Sequence, residues 1–243
     1  MTGRELPPSS PFAGDDGTAV PAVAAALAAV ADGSGSVRAV VDALAGTRVL
    51  VPVLAELEVG DVVVHDGHEH TVDKEASAGI VALRAPDGRT ALPVFTSVAT
   101  MAAWRSDARP VPSDVARAAL SAVTEGWEVL VVDPGGPTTV LVPRPAVWAL
   151  AQQERWHPAV TADGVDPEVR AAIAAAVSPV RGVVAVDAVP GTRAEVAVVV
   201  ELVAGLDRPR LDGVLAQVNV ALAGVELVAA RVDSVELRPR AAR

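Results

Sequence analysis

The chain has 243 residues, 51% hydrophobic and only 2% aromatic, with a formal net charge of −10 and no cysteine. That length accommodates two domains of ~100–150 residues, and that apolar content excludes a wholly disordered chain. The acidic balance argues against a nucleic-acid backbone as partner, because neutralising phosphates takes a surplus of Lys and Arg. The lack of cysteine removes disulfides, thiolate catalysis and Cys-ligated zinc.

Residues 1–18, MTGRELPPSSPFAGDDGT, mix Pro, Ser, Gly and Asp and are expected to form a disordered leader. The apolar run at 20–31, VPAVAAALAAVA, follows Asp15 and Asp16 where a signal peptide has a positive cluster. It is also far short of the ~20 residues that cross a bilayer, so a short soluble helix and a cytoplasmic protein are expected. DGSGS ends that helix, a second helix spans Ser36–Ala45, and RVLVPVL after Gly46 reads as a buried strand.

The segment VVVHDGHEHTV holds three of the four histidines. If Asp66-Gly67 forms a two-residue hairpin turn, His65 and His68 stand opposite each other and His70 shares their face. Three such imidazoles suit Zn²⁺ or Ni²⁺; the alternative is a solvated hairpin whose histidines bind metal adventitiously.

Two strand-like runs joined by Pro86-Asp87-Gly88-Arg89 follow, and at Thr96–Ser97 the pattern turns helical, with either hydroxyl as cap for a helix to about Arg105. DARPVPSD reads as a rigid connector, because its two prolines oppose regular structure. Ser113 or Asp114 caps the next helix, which stops at Gly126. WEVLVVD-PGGP-TTVLVP is strand, turn, strand, and Arg144–Gln153 closes the first domain, 19–153, as a helix.

Residues 154–166 are the expected linker. Residues 167–240 then give helix, strand, strand, helix and strand, the last over VELVAARVDSVEL. The basic end LRPRAAR reads as a solubilising tail. The fold class is α+β, in two domains whose sheets are mostly antiparallel or mixed and carry helices on them.

Phosphate-loop, nucleophile-elbow and zinc-protease motifs are missing, and none of the 30 carboxylates stands out as half of an acid–base pair. The rare large side chains Phe95, Met101 and Trp104 gather in LPVFTSVATMAAW. They form either a core node or the walls of a pocket made polar by Arg109, Asp133 or Arg144, two arginines able to fork onto a carboxylate.

The segments ALPVFTSVATMAAW, ARPVP, VVDPGG and PRPAVWALAQ, in that order, resemble the SseB family, the enhanced serine sensitivity proteins, in its actinobacterial branch. The resemblance covers roughly residues 45–153, and the remainder is similar to the family's C-terminal domain. It implies no catalytic residues and no cofactor. The expectation is a non-enzymatic cytoplasmic protein that binds a protein or small metabolite, with self-association open. A metal-assisted enzyme using His65, His68 and His70, or a secretion-associated protein after the label "type III secretion system SseB-like", are the alternatives.

Overall fold

The computed structural model describes residues 12–54, 81–85 and 87–242. The chain divides into two compact units, Met1–Arg155 and Trp156–Arg243, and both are α+β. Among the described residues no helix is long and apolar enough to cross a membrane.

In the first unit, α1 (Pro21–Ala31) places Pro at its first position, where the missing N–H has no intrahelical partner to lose. Ser36 caps α2 (Val37–Leu44) by accepting from the Ala39 amide. The order continues β1 (Arg48–Val53), β2 (Leu83–Arg84), β3 (Thr90–Val94), α3 (Val98–Trp104), β4 (Arg109–Asp114), α4 (Val115–Thr124), β5 (Val129–Val132), β6 (Val140–Val142) and α5 (Arg144–Gln152).

Four strands form one sheet in the order β2-β3-β5-β6, antiparallel except for the parallel pair β3–β5. All four residues of β5 are buried, as its unbroken Val-Leu-Val-Val run requires of a strand covered on both faces. At the end of α4, Gly126 takes a φ of +71°. There the Gly126 and Trp127 amides bond back to Val123 and Ala122, so the helix stops where the glycine allows a left-handed turn. The Asp114 side chain does not cap α4, contrary to the sequence expectation.

Within the expected connector DARPVPSD, residues 109–114 instead form β4, paired antiparallel with β1 over its whole length. The prolines are tolerated because Pro52, Pro110 and Pro112 fall on one parity of the ladder. Leu50, opposite Pro112, sends its own N–H away from β4 to the Phe95 carbonyl at 2.8 Å. These residues therefore occupy the positions that direct no amide into the β1–β4 ladder.

The second unit begins with the small hairpin β7 (Val160–Thr161) and β8 (Gly164–Val165), inside the stretch expected to be linker. Ala159 just before it is buried in the unit's core. Then come α6 (Pro167–Val177), β9 (Val183–Pro190), β10 (Val196–Leu202), α7 (Arg208–Ala223), α8 (Glu226–Arg231) and β11 (Val235–Ala241). The sheet order is β11-β10-β9, with β10 antiparallel to β9 and parallel to β11. Val196, Val198, Val200 and Leu202 bring one face of β10 against Val169 and Ile173 of α6, Val218 and Leu222 of α7 and Val228 of α8.

Two expectations fail here. The run VELVAARVDSVEL is not one strand: Val225, Val228 and Val232 recur at helical spacing, and the first half folds as α8. The basic end is not a free tail either, since β11 extends through Arg238 and Arg240 to Ala241.

The β9–β10 turn admits only glycine at 191, because a Cβ there would collide with the Ala194 carbonyl oxygen. Glu236 of β11 secures that turn, accepting from the Thr192 amide at 2.8 Å, from Arg238 at 2.6 Å and from Arg193 Nε at 3.1 Å. The Thr192 amide first, then Arg238 and Arg193, hold the Glu236 carboxyl down to about 2, against an ordinary 4.5. A carboxyl lowered on folding stabilises the native state above its unfolded value, and that contribution disappears as pH falls through the folded value. Thermal unfolding followed by circular dichroism is expected to show Glu236→Gln less stable than wild type at neutral pH. The gap should close between pH 4.5 and about 2.

Candidate functional site

Three residues carry the chain from β3 into α3. Ser97 is extended at φ −143° and its hydroxyl accepts from the Thr100 amide at 3.1 Å, while Thr100 Oγ1 accepts the Ser97 amide at 3.3 Å. This reciprocal pair satisfies two otherwise orphan donors at the helix start.

Because β3 and β5 are parallel, their carboxyl ends lie side by side, and Asp133 directly follows β5. Its carboxylate accepts the Thr96 amide at 2.8 Å and the Thr96 hydroxyl at 2.6 Å. The Thr100 hydroxyl lies 2.9 Å from Asp133 Oδ1 and 3.0 Å from the Ser97 carbonyl, and its single proton favours the charged acceptor. Asp133 is 4% exposed. Its φ of +47° is left-handed, which is costly without glycine. Its backbone is held on both sides: the amide donates to Val94, and the carbonyl accepts from Gly136 and from the Thr139 hydroxyl.

The other side of Thr96 is met by Arg48. Arg48 NH1 donates to the Thr96 carbonyl at 2.6 Å, NH2 donates to the Thr18 carbonyl, and the guanidinium forks onto Asp15, with NH2 to Oδ1 at 2.8 Å. Arg48 beside it is the leading cause that lowers the Asp15 carboxyl below its ordinary value. The Gly17 carbonyl also accepts the Val98 amide at 2.9 Å. Residues 15–18, expected to belong to a disordered leader, are thus tied to the junction. Sequence reasoning missed Arg48 and Asp15 as a pair because they stand 33 residues apart. The available signal was a charge opening a strand that is otherwise buried.

Phe95 is 0% exposed and packs with Leu50 and Met101, and with the partly buried Trp104. The Phe95 and Trp104 rings lie 5.2 Å apart, tilted by 38°. The structure therefore brings Phe95, Trp104 and Asp133 to one junction, with Phe95 sealed inside it. Arg109 begins β4 on an exposed position opposite Val53, without a hydrogen bond or ion pair to the other four. Arg144 is the first residue of α5, partly buried, ahead of the buried Pro145, Ala146 and Val147. His65, His68 and His70 lie outside the described residues. Among the described residues no group of three His, Cys, Asp or Glu is placed to hold a metal ion.

These features define an α+β protein in which two parallel strands end at a junction pinned by a buried carboxylate. Residues 23–149 match the SseB protein N-terminal domain, and the chain belongs to the SseB family. No curated protein and no solved structure matches it.

Removing the Asp133 carboxylate strands the Thr96 amide and hydroxyl in a buried site. Asp133→Ala is therefore expected to cost about 3 kcal/mol of first-unit stability, and Thr100→Val, which removes one of three donors to Asp133 and the partner of the half-buried Ser97 amide, about 1 kcal/mol. Urea unfolding of the full chain, read by tryptophan fluorescence, measures both.

Proposed function

We propose that this protein is a non-enzymatic binding or regulatory member of the SseB family, of its actinobacterial branch, acting in the cytoplasm. Residues 167–240 would serve as the family's C-terminal domain. The observation that carries the reading is Asp133: the one carboxylate buried at the junction spends both oxygens on Thr96 and Thr100. A general base must reach a substrate proton, and an acid must present one, so a carboxylate committed to three internal donors acts as a structural pin. The net charge of −10 favours a protein or small metabolite over nucleic acid as partner. The family's name, which reports serine sensitivity, makes amino acids the first compounds to try.

The test uses the purified full-length chain with serine, related amino acids and their keto acids, scored by thermal shift and by NMR for product. The expected result is a rise in melting temperature with a compound that is recovered unchanged, since binding the native state stabilises it by mass action. Turnover abolished by Asp133→Asn or Arg109→Gln would overturn the reading. So would a stoichiometric metal that survives dialysis and is lost with His68→Ala.

A further inference from the structure

The second unit carries an open cleft of its own, independent of the junction. Strand β10 ends at Leu202, and the chain turns through Val203, Ala204, Gly205 and Leu206 into α7. β11 ends beside it at Pro239, Arg240 and Ala241. With Leu211 of α7 these residues enclose about 230 Å³. Clefts for drug-sized ligands start near ~300 Å³, so the occupant is a smaller molecule.

The walls are aliphatic, built by Leu202, Leu206, Leu211 and Pro239, and the polar groups at the cleft include backbone amides and the Arg240 guanidinium. The exposed Arg240 guanidinium has no ion pair or hydrogen bond among the described residues. Glu201 stands beside it in the parallel register without pairing to it. Leu206 closes the turn on Val203, while the amides of Ala204 and Gly205 donate to no described group, and Gly205 sits at a φ of +81°. Consecutive free amides around a left-handed residue form a concavity that suits an anion. The nearby Asp207 carboxylate is turned to the helix, where it accepts the Arg210 amide at 3.0 Å.

We propose that this cleft binds small aliphatic carboxylates. The carboxylate sits between the Arg240 fork and the Ala204 and Gly205 amides, and the hydrocarbon lies against Leu206 and Leu211. A free acid and the last residue of a peptide present the same chemistry.

The test is an amide-resolved NMR titration of the full-length ¹⁵N-labelled chain with 3-methylbutanoate, its neutral amide 3-methylbutanamide, and N-acetyl-leucine as a stand-in for a peptide end. The acids are expected to give saturable shifts at Ala204, Gly205 and Leu206, and the neutral amide none. Arg240→Gln, an exposed change that leaves the core intact, should weaken binding about tenfold, as expected for loss of a charge-assisted fork. Tighter binding of N-acetyl-leucine would assign the cleft to chain ends, and tighter 3-methylbutanoate to free acids. Non-saturating shifts, equal binding of the neutral amide, or unchanged affinity in Arg240→Gln would overturn the proposal. None of these outcomes touches the junction of the first unit.

Discussion

The peptide unit of Thr96 is where the first unit is fastened. Its amide and hydroxyl go to Asp133, from the strand after next, and its carbonyl goes to Arg48, from the first strand. Arg48 in turn fixes Asp15 and Thr18. Segments near positions 15, 48, 96 and 133 thereby meet at one residue. A neutral hydrogen bond contributes about 1 kcal/mol net, but a buried donor left without an acceptor costs about 1–3 kcal/mol. The arrangement is strongest as a constraint on geometry: displacing any one segment strands polar groups belonging to at least one other. Burial of the Asp133 charge is itself unfavourable, and its three donors offset that cost.

That fastening explains where the chain places its rare large side chains. A core of Val, Ala and Leu is filled by many small contacts, and it is hardest to fill where β3 leaves the sheet and the chain turns into a helix. Phe95 sits at that point and Met101 and Trp104 follow on α3, with Leu50 of β1 beneath. The antiparallel bridge between Leu50 and Phe95 ties the same place by backbone, so packing and hydrogen bonding both act on that pair. Fully burying one such side chain contributes roughly 1.5–3 kcal/mol, comparable to the polar term.

Elements governed by local rules were legible in the sequence. The helix breaks at DGSGS and Gly126, the Asp87-Gly88 turn and the Ser97 cap depend on residues within a few positions. What depends on distant partners was not. β4 hid behind its prolines, because whether a missing amide matters depends on the parity of a ladder formed with residues some 60 positions away. Residues 225–237 contain enough Val to imitate a strand, and only the spacing of Val225, Val228 and Val232 marks the helical half. Asp133 was singled out for its charge in a glycine-rich turn. Its partners Thr96 and Thr100 carry no signal of their own, since hydroxyls at a helix start are ordinary caps.

The two units treat the same topological feature in opposite ways. Among the described residues each contains one pair of neighbouring parallel strands, β3–β5 and β10–β11, and the chain leaves the sheet after β3, β5 and β10. The space beyond the carboxyl ends of parallel strands is where open sheets characteristically accept ligands, because the departing chains leave a crevice there. In the first unit a side chain of the protein fills it: the Asp133 carboxylate takes the amide and hydroxyl that an anionic ligand would otherwise use. In the second unit no carboxylate follows β10 directly. Val203-Ala204-Gly205 takes that place, the next acid, Asp207, is committed to α7, and the Ala204 and Gly205 amides and Arg240 have no acceptor among the described residues. One chemistry, an anion held at parallel strand ends, is thus satisfied internally in one unit and left open in the other. On the proposed reading, recognition belongs to the second unit and rigidity to the first.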